Sequence, residues 1–154
     1  MIIGDAVPNF SFHATNNVSG CLADYQGKWV ILYFYPKDST PGCTVEGRDF
    51  RDAFAQFQER DAVIFGVSRD TLSSHDKFKC NQSFPFELIS DTDEALCHLF
   101  DVIKMKSMYG KKMLGIERST FIINPEGILK QEWRRVKVIG HVNEVLATLT
   151  ALQA

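Results

Sequence analysis

Trp29-Val30-Ile31-Leu32-Tyr33-Phe34-Tyr35-Pro36-Lys37-Asp38-Ser39-Thr40-Pro41-Gly42-Cys43 changes character part-way along. Its opening residues are apolar almost without a break, and a run this short reads as a strand buried on both faces. Pro36 stops that strand, because proline has no N–H to give to a neighbour. Thr40 then suits a helix N-cap and Pro41 the first helical position. From there Val45, Phe50, Ala53, Phe54 and Phe57 recur at three and four as far as about Arg60. Glu46, Arg48, Asp49, Arg51, Asp52 and Glu59 are assigned to the opposite, solvent-facing side. A buried strand running into an amphipathic helix begins a β-α-β unit.

Working outward, Ala62 to Ser68 predicts a second buried strand, and Thr71 to Gln82 a polar helix capped by Asp70 or Thr71. Phe86 to Ile89 reads as a short strand and Thr92 to Val102 as a helix; the Lys-, Met- and Gly-rich residues 104–115 are expected to form a loop. Ser119 to Ile123 turns through Asn124-Pro125-Glu126-Gly127 into Ile128 to Arg135, a hairpin, and His141 to Leu152 closes the chain as an amphipathic helix. Upstream, residues 10–15 and 21–25 flank Asn16-Asn17-Val18-Ser19-Gly20 and predict a small hairpin. A β-α-β start followed by β-β-α predicts an α/β thioredoxin-like sandwich: a central mixed β-sheet flanked by helices, with an N-terminal β-hairpin extension. A flavodoxin-like sheet is the runner-up, and the Asn124–Gly127 hairpin argues against its all-parallel ending. No repeat or linker interrupts the chain, so residues 1–154 are expected to form one domain.

The 154 residues carry 17 Lys+Arg against 19 Asp+Glu, a net charge of -2, which gives no basic footprint for nucleic acid. Apolar runs fall well short of the roughly 20 residues that span a bilayer. Met1-Ile2-Ile3-Gly4-Asp5 has no basic n-region, so a cytoplasmic protein is expected.

Four cysteines, Cys21, Cys43, Cys80 and Cys97, stand at gaps of 22, 37 and 17 residues, with no Cys-x-x-Cys pair. Neither a structural disulfide framework nor a metal site is expected from that spacing, and no cofactor is implied. Cys97, among Leu96, Leu99, Phe100 and Ile103, reads as a small buried hydrophobe, and Cys21 as adequate for the same role. Cys43 is different. At the third helical position it meets unpaired N–H groups and the positive end of the helix dipole, which stabilise a thiolate. Thr40 would place its hydroxyl near the sulfur, and Gly42 leaves room for a ligand. A cysteine phosphatase needs Cys-x5-Arg, whereas Cys43 to Arg48 is Cys-x4-Arg. A cysteine hydrolase needs a histidine partner, and His13, His75, His98 and His141 sit in no recognisable signature.

Tyr35 to Glu46 contains Pro-x-x-x-Thr-x-x-Cys and resembles the peroxiredoxin signature, with flanks similar to the bacterioferritin comigratory protein (PrxQ) branch. Gly4 to Phe10, Phe84-Pro85-Phe86 with Ser90-Asp91, and Arg118 to Ile123 extend the resemblance over nearly the whole chain. It implies a peroxidase that reduces hydrogen peroxide and organic hydroperoxides, with Cys43 the peroxidatic thiolate, Pro36 shielding it, and Thr40 hydrogen-bonding the peroxide. Arg118 matches the family's active-site arginine, and Glu46 its Thr-x-Glu pattern. Many members of the branch carry the resolving cysteine five residues after the peroxidatic one, where this chain has Arg48. Others resolve from the following helix, and Cys80 lies in the matching segment, its neighbours Lys77, Lys79, Asn81 and Gln82 implying an exposed position. The resemblance thus implies an atypical two-cysteine enzyme, resolved within one chain, recycled by thioredoxin or a similar dithiol, and monomeric. Resolution by Cys97 or an external thiol stays open, and a redox sensor that oxidises once without turnover is the alternative.

Overall fold

The computed structural model describes residues 1–154. Asn16 and Asn17, both left-handed (φ 58° and 56°), turn strand β1 (Ser11–His13) back onto β2 (Ser19–Cys21) as the expected antiparallel hairpin. The second arm lies two residues earlier than the expected 21–25, taking Ser19 and Gly20 from the expected turn, and Leu22–Tyr25 winds instead into a 3₁₀ turn that seats Leu22 in the core. Next come β3 (Trp29–Phe34), α1 (Pro41–Glu59), β4 (Ala62–Ser68), α2 (Leu72–Gln82) and β5 (Glu87–Ser90). The helix expected over 92–102 is reduced to α3 (Ala95–Leu99). Glu94 is left-handed (φ 62°), which breaks the first turn, and the Asp91 carboxylate accepts from the N–H groups of Leu96 and Cys97 at 3.0 and 2.8 Å.

Residues 104–115 correct the expectation of a loop. They form an antiparallel ribbon, β6 (Ile103–Met108) and β7 (Lys111–Ile116), closed by Tyr109-Gly110 with both φ values positive, as a two-residue hairpin turn requires. Strands β8 (Ser119–Ile123) and β9 (Leu129–Trp133) and helix α4 (His141–Leu152) complete the chain.

The main sheet has the order β5-β4-β3-β8-β9, with β3, β4 and β5 parallel and β8 and β9 antiparallel, the mixed thioredoxin-like arrangement. Strand β3 lies at its centre, and alternation along it divides the core. Val30, Leu32 and Phe34 pack with Phe12, Cys97, Phe100 and Phe121; Ile31, Tyr33 and Tyr35 pack with Phe50 and Phe57 of α1, Phe78 of α2 and Val145 and Leu149 of α4. Helix α1 is therefore pinned along its length, and its first turn is delivered to the carboxyl end of the central strand, where α/β sheets bind and react.

Candidate active site

The first turn of α1 places Cys43 at the third helical position, 1% exposed. Tyr35 extends the β3 ladder by one bond, its N–H donating to the Val67 carbonyl at 3.0 Å, and half-buried Pro36 then ends it. Thr40 is the N-cap, with extended backbone (φ -81°, ψ 155°), but its side chain does not cap. The Thr40 hydroxyl donates to the Lys37 carbonyl at 2.8 Å, which fixes the loop and leaves its lone pairs, rather than its proton, for an incoming group.

Arg118, in the connection from β7 to β8, completes the site. Its Nη2 donates to the Cys43 sulfur at 3.4 Å and its Nη1 to Glu46 Oε1 at 2.6 Å. The guanidinium also explains Gly42: a Cβ there would lie 3.2 Å from Arg118 Nη2, so the space kept open is filled by the arginine. Burial alone would lower the Arg118 pKa, but Glu46 and Cys43 more than offset it and hold the guanidinium charged.

Glu46 reverses the expected helix face. It is fully buried, while Val45, assigned to the core, is 46% exposed. The reason is tertiary: Glu46 turns inward to meet Arg118. Lys106, from the unexpected β6–β7 ribbon, brings a second cation to the neighbourhood, with its pKa lowered by burial and then by the Arg118 charge. Helical periodicity points Glu46 the wrong way, and only its match to the Thr-x-Glu pattern signals it; for the ribbon the sequence offers no more than the Tyr109-Gly110 turn.

Burial pushes the Glu46 carboxyl up to about 7 from an ordinary 4.5, against the pull of Arg118. A carboxyl with a raised folded value favours the neutral form, so the stability tied to it is present below the unfolded value and is lost as pH rises to the folded one. Relative to Glu46→Gln, the native chain is expected to lose up to about 3 kcal/mol across that interval and little above it. Denaturant midpoints measured at several pH values check this, and a flat difference would contradict it.

The fold and this geometry agree with what the chain is similar to. Residues 3–132 match the AhpC/TSA family. The chain belongs to that family, the peroxiredoxins. It is 54% identical to peroxiredoxin Bcp of Xanthomonas campestris pv. campestris, over 94% of this chain and 93% of the relative. It is 50% identical to peroxiredoxin Bcp of Bacillus subtilis, over 96% and 94%. Among solved structures, a Xanthomonas campestris bacterioferritin comigratory protein described for its alkyl peroxide reduction activity superposes with a TM-score of 0.90 at 52% identity, covering 94% of this chain and 92% of that one. A mutant of Xylella fastidiosa PrxQ superposes at 0.95 with 46% identity, covering 100% and 98%. The activity is that of a thiol peroxidase of the Bcp (PrxQ) branch. No helix is long and apolar enough to cross a membrane.

In this peroxiredoxin the residue five after Cys43 is structural. Arg48 Nε donates to Gln82 Oε1 at 2.8 Å, and Arg51 Nη1 to the Gln82 carbonyl at 2.9 Å, so α1 grips the last residue of α2. That helix carries Cys80, which is exposed; like the other three cysteines it is free of any disulfide. Cys80 lines a shallow surface depression with Asn16, Asp76, Lys79, Ser83 and Phe84, while Cys43 faces the core. The two helices meet where Phe84 lies over Gly47, whose absent Cβ would fall 2.3 Å from the ring. Gly47→Ala is therefore expected to displace Phe84 and cost about 1–3 kcal/mol, read as a lowered denaturation midpoint. An unchanged midpoint would mean that this packing carries little of the fold.

Proposed function

We propose that Cys43 is the peroxidatic thiol of this peroxidase, that Arg118, Thr40 and Pro36 build its pocket, and that Cys80 resolves it within one chain. The supporting observation is the Arg118 Nη2 donor 3.4 Å from the Cys43 sulfur at a helix N-terminus. The Cys43 thiolate attacks the terminal oxygen of a hydroperoxide, the O–O bond breaks, and the leaving oxygen takes a proton and departs as water or an alcohol. The sulfur loses two electrons and becomes a sulfenic acid, and the peroxide gains them. Negative charge passes from sulfur to the departing oxygen, and the planar Arg118 fork lies beside that path with N–H groups to stabilise it. Thr40, its own proton held by Lys37, offers lone pairs to the peroxide O–H. Pro36 closes the corner without adding a competing donor.

The Cys80 thiolate then attacks the sulfenic sulfur, an S–S bond forms, and the oxygen leaves as water. A bridge needs Cα atoms within about 7 Å, and joining a buried first-turn thiol to an exposed thiol on another helix calls for local unwinding. The Arg48 and Arg51 bonds to Gln82 are among those that have to open. A thioredoxin-like dithiol returns both cysteines to thiols by exchange. We take the acting form to be a single-domain monomer in the cytoplasm, with a net charge of -2 that favours neither nucleic acid nor membrane surface.

Arg118→Ala is expected to slow peroxide consumption in a thioredoxin-coupled assay by roughly 10²–10³-fold, with Arg118→Lys restoring only part because a point charge cannot replace the fork. A wild-type rate in Arg118→Ala would make the arginine structural. The same assay separates catalysis from sensing: repeated turnover is expected, and consumption that stops after about one equivalent per chain would mark a sensor.

A further inference from the structure

Away from Arg118, buried polar groups also cluster between the loop leading to Cys43 and α2, apart from the buried Thr120–His141 pair. Asp38, in the loop leading to Cys43, is 6% exposed, and His75, in the first turn of α2, is 0% exposed. His75 Nδ1 lies 2.6 Å from Asp38 Oδ2, and Nε2 lies 2.9 Å from the Ile89 carbonyl oxygen. The Ile89 carbonyl can only accept, so Nε2 donates to it, and Nδ1 shares a hydrogen with the Asp38 carboxyl. The carboxylate accepts two more bonds, from Tyr35 Oη at 2.7 Å and from Ser74 Oγ at 2.8 Å. The Asp38 N–H donates to Asp70 Oδ2 at 3.0 Å, and Ser68 donates to the same oxygen. The titratable groups facing the pair are thus Tyr35, just past β3, and Asp70 from the β4–α2 connection. Donor atoms of Asp38, Asp70 and His75 lie within 4.8 Å of one another, but both imidazole nitrogens are already committed, which makes this a hydrogen-bond network.

Its position gives it a consequence. Asp38 shares with Thr40 the loop that runs into the first turn of α1 and Cys43, while Ser74 and His75 share a helix with Cys80. Only His75 and Phe78 are buried along α2, so the pair is the buried polar tie between the Cys43 loop and the Cys80 helix, beside the Arg48 and Arg51 bonds to Gln82 farther along. We propose that the Asp38–His75 ion pair is a latch that positions the peroxidatic loop against the Cys80 helix and sets how the Cys43 sulfenate divides between disulfide and sulfinic acid. The proposal rests on the roles assigned above to Cys43 and Cys80.

With the latch closed, the sulfenate stays beside Arg118, where a second hydroperoxide reaches it. The sulfur takes that peroxide's terminal oxygen, the O–O bond breaks, water or alcohol leaves, and sulfur loses two further electrons to become sulfinate. With the latch open, loop and helix part, and Cys80 attacks the sulfenic sulfur with loss of water. Truncating one partner leaves the other charge buried and unpaired, which favours separation.

A hydrogen peroxide pulse on the full chain, quenched in time and read by mass spectrometry, follows disulfide and sulfinic acid together. His75→Phe fills the ring volume and is expected to raise the disulfide-to-sulfinate ratio roughly tenfold. Asp38→Asn is expected to act in the same direction, and it carries the test if His75→Phe does not fold. His75→Asn keeps a donor towards Asp38 and is expected to fall between wild type and His75→Phe. In ¹⁵N spectra of the wild-type chain at neutral pH, both His75 ring nitrogens are expected to bear protons. In a Cys80→Ser background, which needs no bridge, His75→Phe is expected to lower the sulfinate yield, so the latch is read even where Cys80 is not the resolving thiol. An unchanged ratio in folded His75→Phe or Asp38→Asn, an unchanged sulfinate yield in that background, or a bare ring nitrogen on His75 overturns the latch. Absence of a Cys43–Cys80 bridge in wild type overturns the resolving assignment instead.

Discussion

Cys43→Ser is expected to abolish peroxide reduction, with consumption falling to the level of a protein-free control. Serine keeps the volume and the helix position, so the fold is retained at a cost of about 1–2 kcal/mol for placing a hydroxyl in that buried site. What disappears is the reaction. An alcohol at this position is not a thiolate at neutral pH and has no sulfenic state to pass through, so the Arg118 fork and Thr40 would surround a group that peroxide does not oxidise. A coupled assay with thioredoxin, its reductase and NADPH reads the loss directly. Turnover retained in Cys43→Ser would remove Cys43 from its role, because no other thiol in the chain shares its surroundings. Cys97 is fully buried, and burial, followed by its bond to Asp91, pushes its thiol further from ionisation.

Cys80→Ser is expected to separate the two half-reactions. Peroxide attack does not use Cys80, so the variant should consume its first equivalent at the wild-type rate. It should then stall as a sulfenic acid, pass more readily to the sulfinic acid, and lose thioredoxin-dependent turnover. Small thiols would restore part of the activity through a mixed disulfide. Stability is not the cause, since Cys80 is exposed and its substitution leaves no cavity. In the wild-type chain, bridge formation should speed amide exchange in the first turns of α1 and the last turn of α2, where the grip of Arg48 and Arg51 on Gln82 is lost. Cys21→Ser and Cys97→Ser should change little beyond packing. Wild-type turnover in Cys80→Ser would transfer resolution to another thiol.

The parts of this enzyme legible in its sequence are those built from neighbours in the chain. An apolar run, a proline, a cap and a cysteine at the third helical position place Cys43 without tertiary information. What was not legible depends on distant partners or on an absent hydrophobic signal. The β6–β7 ribbon exposes Met105, Met108, Tyr109, Met113 and Leu114, so no buried face imposes an apolar alternation, and only the turn at Tyr109-Gly110 hints at it. Glu46 falls on the inner side of α1 because of an arginine 72 residues away, a distance that helical periodicity does not register. His75 carries no local signature either; its meaning comes from Asp38, 37 residues earlier. Arg118, by contrast, is found by its match to the peroxiredoxin pattern, and the structure then gives it the bonds that explain the match.

In the proposed cycle Cys43 takes the oxygen and Cys80 releases it within one chain. Peptide mass mapping of protein treated with one equivalent of hydrogen peroxide, under dilute non-reducing conditions, tests this most directly. A Cys43–Cys80 disulfide in a product of monomer mass is expected, with Cys21 and Cys97 still free. A bridge from Cys43 to Cys97, or to a second chain, would contradict resolution by Cys80, and oxidation that spares Cys43 would contradict its role as the peroxidatic thiol.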